Sequence, residues 1–428
     1  MLWIFSVRLR YFREANKARD AKLLKQFTFL ILSSLFGSMV MEAKLPQLTL
    51  AGTQELDAAL SLITAKEEPP GLVALVANQD EFLYHQAFGK QDVGQNIDMN
   101  TDSLFRIFSM TKPVTSLAIM MLYEEGLLDL DDPASKFLPQ YKNHPILDGF
   151  NISTGTYTTA PAKKEFTIRH LLTHTAGFGY IFKSETVGLL KNASGKKVHD
   201  LPLMFEPGSQ FMYGPNTHVL GFVVEALSEL SLDAYFEEKI FEPLGMTETT
   251  FVLDPADLPR RVTRHERIDG KLVELPNPEK PDTYFRGDYG LKSTAQDYAK
   301  FLQMLLKVSS GDESQLIQPG TFALMAQNQI GPLDLVQEEG ALNHRSRPLP
   351  IGGGRDKFGL GFQIAIMEAK HLRPRGSLSW SGIANTFFWI DPTHKISAVF
   401  LMQINPHGEE AAISALFEFE QTVYRNLN

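Results

Sequence analysis

The sequence predicts an α+β fold: a mainly antiparallel sheet flanked by helices, with a mostly helical segment inserted into it. Three observations carry this expectation. β-rich runs cluster at two distant places, 71–88 and 361–403. The stretch between about 116 and 270 is dominated by helical patterns, and an apolar-periodic segment closes the chain at 409–428. Strands from the two ends then pair in one sheet, flanked by the first and last helices. That divides residues 46–428 into an α/β part, about 46–115 and 271–428, and a helical part, about 116–270.

Taken in order, Gly71–Ala77 and Glu81–Phe88 are strand-like and separated by Asn78-Gln79-Asp80, which reads as a hairpin. Residues 109–125 read as a helix, because Pro113 falls in its first turn and Gly126 stops it. Helices follow at Thr167–Leu172, Asn216–Leu230 and Leu232–Phe241, joined by Gly/Pro loops. Another spans Ala295–Leu306. After a polar stretch at 308–357 come strand-like runs at Gly361–Met367, Thr386–Asp391 and Lys395–Gln403, then the closing helix.

The 428 residues are 43% hydrophobic and 21% charged, the balance of a globular protein with an ample core. A net charge of −9 argues against a dedicated nucleic-acid binder. Residues 1–26 carry seven basic and two acidic side chains, a local +5 that leaves −14 for the rest. This basic stretch runs into the apolar segment 27–41, and together they read as an export signal within residues 1–43. The expected location is periplasmic or secreted; an uncleaved anchor through residues 27–41 is the alternative, although that run is short for a membrane span. With no cysteine, disulfides, thiol catalysis and Cys-ligated metals are excluded.

Among the chemistry-bearing residues, Ser109-Met-Thr-Lys112 stands out. On a helix, residues three apart share a face, so the hydroxyl and the amine can meet. A desolvated, neutral lysine can take the proton that makes serine a nucleophile, and the helix N-terminus favours negative charge developing there. No serine lies in Gly-x-Ser-x-Gly, so the usual signature of a Ser-His-Asp hydrolase is missing. His170 and His174 have a zinc-compatible spacing but lack the glutamate and an obvious third ligand, which favours a structural role. Gly352-Gly-Gly354 lacks a following Gly-Lys-Ser/Thr and reads as a turn. Ser379-Trp380-Ser381-Gly382 precedes a strand, where small residues let a substrate lie along the edge.

With these segments in order, the chain from about 55 to 425 resembles the β-lactamase-like serine hydrolases. These include class C β-lactamases, D-alanyl-D-alanine peptidases and family VIII carboxylesterases. The resemblance rests on Ser109–Lys112 and its flanks, Thr167-Ile-Arg-His-Leu-Leu-Thr-His-Thr-Ala-Gly177, and Tyr213 at the tyrosine motif. It also rests on Gly290-Leu-Lys-Ser-Thr-Ala-Gln-Asp-Tyr298, and on Trp380-Ser-Gly382 at the Lys-Thr-Gly-like motif. It implies a β-lactamase/transpeptidase-like fold, with Ser109 as nucleophile and Lys112 and Tyr213 sharing the proton transfers. The oxyanion donors it implies are the backbone N–H groups of Ser109 and Ile383, beside the substrate-binding Trp380, Ser381 and Gly382.

Two departures steer the substrate expectation. Tyr213-Gly-Pro215 stands where class C enzymes have Tyr-x-Asn, with Asn216 displaced by one, and Trp380 stands where they have lysine. Losing the amide and the ammonium weakens recognition of an anionic substrate; an indole offers apolar surface and one N–H. The expectation is a serine carboxylesterase acting on small or medium acyl esters. It needs no cofactor and no metal, its partner is a small-molecule ester, and membrane contact is expected only through the N-terminal segment, if that segment stays uncleaved. The alternatives are a β-lactamase or D-alanyl-D-alanine carboxypeptidase, an acyltransferase on the same scaffold, or a non-catalytic envelope-binding protein.

Overall fold

The computed structural model describes residues 45–66, 69–275, 277, 285–314, 316–336, 346–348 and 351–428. The expected leader, 1–43, lies outside them. None of the described helices is long and apolar enough to cross a membrane.

The chain opens with helix α1 (Leu50–Ala65), capped by the Thr49 hydroxyl, which accepts from the Gly52 N–H. Strands β1 (Gly71–Asn78), β2 (Phe82–Asp92) and β3 (Ile97–Asp98) follow, then β4 (Phe105–Arg106), a 3-10 turn (Phe108–Met110) and α2 (Thr111–Glu124). The middle holds β5 (Ile146–Asn151), β6 (Thr156–Ala160), α3 (Ile168–Leu172), α4 (Glu185–Ser194), α5 (Asn216–Ser228) and α6 (Leu232–Phe236). Next come β7 (Arg264–Ile268), β8 (Lys271–Leu275), β9 (Lys292–Ser293), α7 (Ala295–Ser309) and α8 (Pro319–Met325). The chain ends with β10 (Lys357–Phe358), β11 (Gln363–Ile364), β12 (Leu378–Gly382), β13 (Thr386–Asp391), β14 (Ile396–Leu401), β15 (Ile404–Asn405) and α9 (Glu410–Asn426).

The main sheet has eight strands in the order β10-β11-β12-β13-β14-β1-β2-β3, every neighbouring pair antiparallel. Within it β1 pairs with β14, so strands from the two distant parts of the chain meet as expected. Both faces are covered, which explains why β1 reads as an unbroken apolar run. Leu72, Ala74 and Val76 face the layer that holds Leu416 and Phe419 of α9 and Leu56 and Leu60 of α1. Val73, Leu75 and Ala77 face the larger core that includes α2, α5 and α7.

Several expectations need correction. The helix that packs beside α9 is α1, not the helix after Ser109. Its signal was Thr49 as cap and Leu56, Leu60 and Ile63 at helical spacing. The middle is mostly helical as expected, but it also contains the hairpin β5–β6, and β7–β8 straddles its end. The second turns at Asp269-Gly270, both with positive φ, the geometry that Asp-Gly favours. The run Gly361–Met367 gives only the two-residue β11. The helix expected over Leu232–Phe241 passes into a π-helical turn, Glu237–Phe241.

Three features position Ser109. Strand β4 pairs with β9, and the Ile107 N–H donates to Leu291 at 3.1 Å, fixing the chain just before the serine. Phe108 has φ of +46°, an uncommon conformation for a bulky residue, and it turns the chain sharply into α2. Helix α2 is buried from Thr111 to Leu122 on all sides, so its first turn cannot shift freely.

Gly382 completes the frame. A Cβ there would lie 2.5 Å from the Ile107 carbonyl oxygen and closer still to the Thr386 hydroxyl. Gly382→Ala is therefore expected to push β12 away from the Ser109 turn. The expected cost is about 1–3 kcal/mol, measurable as a lower denaturation midpoint; an unchanged midpoint would contradict the close approach.

Candidate active site

Ser109 sits in the 3-10 turn and Lys112 in the first turn of α2, and the i,i+3 spacing does what the sequence implied. Lys112 Nζ is 3.1 Å from Ser109 Oγ and donates to the Asp288 carbonyl at 2.8 Å. The Tyr213 hydroxyl donates to Ser109 Oγ at 2.8 Å. Tyr213 is brought there by the loop before α5: Met212 N–H donates to His174 O, and Tyr180 N–H donates to Tyr213 O. Gly214 allows that approach, since a Cβ there would overlap the Phe178 carbonyl.

Lys112 is 2% exposed. Burial pushes its amine down to about 7; Asp288 opposes this and Arg286 reinforces it. The displacement from 10.5 corresponds to on the order of 5 kcal/mol in favour of the neutral amine. Near pH 7 and above, a large fraction of Lys112 is able to accept a proton. The amine also sits 4.8 Å from the centre of the Tyr213 ring and 5.3 Å from that of Tyr180.

The remaining expected residues converge on the same place. Trp380, Ser381, Gly382 and Ile383 line a narrow cleft with Ser109 and Tyr213. Strand β11 pairs with β12 only at Leu378 and Ser379, so among the described residues 380–382 have no strand partner on that edge. Trp380 is buried, edge-on to Tyr213 at 5.1 Å and stacked on His174 at 6.5 Å. Its indole N–H has no hydrogen-bond partner among the described residues. The Ser381 hydroxyl is 3.0 Å from His407 Nε2.

Asn216 does not face the serine. It is fully buried, and its amide meets His174 Nδ1 at 2.9 Å. His174 is held uncharged, well below its usual range, by burial and then by Lys112. His170 caps α3, its Nδ1 accepting from the Thr167 N–H. His170 is thus engaged with the Thr167 backbone and His174 with Asn216, and among the described residues no group of three His, Asp or Glu side chains is placed to hold a metal. Gly352 and Gly354, both with positive φ, belong to the turn before β10.

Two cavities meet at Ser109, Phe182 and Ile383, which line both. The narrow one, about 40 Å³, is walled by Phe182, Phe211, Leu335 and Trp380. The wide one, about 930 Å³, is bounded by Phe108, Tyr180, Lys197, Arg264, Glu266 and Arg286. The site thus keeps cations despite Trp380, with Lys183 on the narrow side, where it donates to the Arg347 carbonyl.

Sequence reasoning did not find Tyr180, Arg286, Asp288 or His407. Asp288 is fully buried and accepts from the Tyr180 hydroxyl at 2.5 Å and from Arg286 Nε and Nη2 at 2.9 Å each. Its own burial works to raise its pKa, but Arg286 and then Lys112 hold it down at about 2. The only signal available was the Arg286-Gly-Asp-Tyr289 cluster just before the Gly290 motif.

Comparison with known proteins bears on the family and the fold. The family model described as Beta-lactamase matches residues 56–422. Monacolin J acid methylbutanoyltransferase of Aspergillus terreus is 29% identical over 402 residues, covering 86% of this chain and 95% of that protein. The lovastatin esterase of Penicillium rubens is 27% identical over 387 residues, covering 81% and 92%. The solved structure of a simvastatin synthase mutant from Aspergillus terreus superposes with a TM-score of 0.77 at 28% identity, covering 88% and 98%.

The buried amine sets a stability prediction. The unfolded lysine binds a proton up to about 10.5 and the folded one only up to about 7, so folding gains stability as pH rises between these values. Lys112→Met removes this dependence. Its stability relative to the native protein should be greatest below pH 7 and should decline toward pH 10.5, as read from denaturation midpoints. A constant difference would contradict a depressed lysine.

Proposed function

The chain belongs to the Beta-lactamase family, and from that premise we propose that it is a serine carboxylesterase forming an acyl-Ser109 intermediate. The carrying observation is that one hydroxyl, Ser109 Oγ, lies within hydrogen-bond reach of both a buried amine and a phenol. In the first step the Ser109 proton moves to Lys112 while Oγ bonds to the ester carbonyl carbon. The carbonyl electron pair moves onto its oxygen, which the N–H groups of Ser109 and Ile383 hold. Collapse breaks the bond to the alcohol oxygen, which leaves with the Tyr213 phenol proton while Lys112 keeps the one it took from the serine. Water then returns a proton to the Tyr213 phenolate as its oxygen bonds to the acyl carbon, and collapse of that adduct breaks the bond to Ser109 Oγ, which takes its proton back from Lys112.

Cavity size supports an assignment of the two halves of the substrate. The narrow cleft suits a short acyl chain, and the wide one takes the alcohol portion. Trp380 in place of lysine favours a neutral acyl group there. A second reading, acyl transfer to an alcohol, is favoured by the same wide cavity, which can seat an acceptor against the acyl-enzyme. It is also favoured by the transferase named among the relatives. The first step is common to both.

Aryl esters of short acids should be cleaved far faster than a chromogenic cephalosporin, and Ser109→Ala should lose at least about 10⁴-fold in kcat. The rate kcat/KM should rise as pH passes through about 7, where Lys112 loses its proton. Added alcohol that diverts product from free acid to a new ester would support the transferase reading. Retention of most esterase activity in Ser109→Ala would overturn both.

A further inference from the structure

The loop that carries Arg286 and Asp288 does more than line the cavity. It reaches Lys112 because Gly287 has no side chain: a Cβ there would overlap the Thr217 carbonyl and lie 3.0 Å from the Thr115 methyl. The Thr115 hydroxyl donates to the Gly287 carbonyl at 2.6 Å, which pins the loop to α2. In this position the Asp288 backbone carbonyl accepts from Lys112, while its carboxylate is turned to Tyr180 and Arg286. Lys112 therefore meets Asp288 through a neutral oxygen. The negative charge next to it is shared with a guanidinium fork and a phenol.

We propose that Arg286, Asp288 and Tyr180 form a charge-balanced brace of positioning residues. It fixes Lys112 on Ser109 while denying that amine a carboxylate counter-ion of its own. The inference rests on the acyl-Ser109 reading above and deepens it by assigning what sets the working pH.

The physical alternatives on either side show why the balance matters. A lone buried carboxylate beside Lys112 would hold a proton on the amine and remove the base. A loop with neither charge would leave the amine desolvated but would lose the contacts that orient the Asp288 carbonyl. The opposing influences on Lys112 agree with this arrangement, since Asp288 favours its charged form and Arg286 disfavours it.

The groups facing the amine from the other elements do not compete. His174 lies on the segment after α3 and His218 on α5, and burial keeps both uncharged, His218 at about 3. Tyr180 is held as a phenol by burial and then by Asp288. Tyr213 and Ser109 complete the surround. Asp288 and Arg286 are left as the charges that set the lysine.

The test exploits the opposite signs that the brace requires. The native enzyme, Arg286→Gln, Asp288→Asn and Arg286→Lys are compared by kcat/KM against pH with a short-chain aryl ester. The titration of Lys112 is followed in parallel by NMR of protein carrying [ε-13C]lysine, its signal assigned by its absence in Lys112→Arg. Arg286→Gln should move both the acid limb and the Lys112 titration up by about one pH unit, and Asp288→Asn should move both down by about one unit. Arg286→Lys, which keeps the charge, should leave the titration near its native position.

The NMR titration needs no turnover, so it separates the two claims. Opposite shifts without esterase activity would uphold the brace and overturn the ester reading. Activity with a Lys112 titration that stays fixed, or moves the same way in both variants, would overturn the brace. If Arg286→Gln does not fold, Asp288→Asn and Arg286→Lys still decide, because a merely structural ion pair predicts no downward shift in the first.

Discussion

An amine with almost no access to water lies at the centre of this protein, and the surrounding architecture keeps it there. Lys112 reaches Ser109 because a 3-10 turn, entered through the strained Phe108, hands the chain to a helix buried on every side. Burial favours the neutral form of the amine, and the same burial works against folding. The chain offsets that cost with packing: one large core joins α2, α5, α7 and one face of the sheet. Glycines at 214, 287 and 382 let three separate segments close on the amine and its serine. Each is a point where backbone meets backbone, so the site depends on small residues as much as on reactive ones.

The two cavities give this chemistry a direction. Ser109, Phe182 and Ile383 stand at their junction, so a group bound to the serine would have a narrow cleft on one side and a large space on the other. Under the proposed acyl-Ser109 route, hydrolysis and transfer would differ in what enters the large space after the first alcohol leaves. The relatives include both an esterase and a methylbutanoyltransferase.

The sheet was legible where local patterns and long-range pairing agree. β1, β2, β13 and β14 are β-branched or aromatic runs with clear turns, and they proved to be the sheet's centre. Ser109 with Lys112 was legible because both lie in one helical turn. Tyr213 and Trp380 were recognisable only through family resemblance, since neither carries a local signal beyond an aromatic in a loop or strand. Arg286, Asp288 and Tyr180 left no pattern beyond the Arg286-Gly-Asp-Tyr289 cluster: Tyr180 and Asp288 meet across 108 residues of chain, and the loop depends on Gly287 fitting against Thr217. The hairpin at Asp269-Gly270 was different, because its turn signal was present but was outweighed by the helical character of its neighbourhood. Helix α1 was missed although Thr49 and the Leu56–Leu60 spacing announced it.

The most direct test of a serine activated by a buried lysine is rapid-quench mass spectrometry. The enzyme is mixed with an aryl acetate, stopped in acid during the first turnover and mapped by peptide. The account predicts an acetyl group on Ser109, with an acylation rate that climbs as pH is raised through about 7. Acetyl on a different side chain, or acylation of Ser109 indifferent to pH across that range, would contradict it.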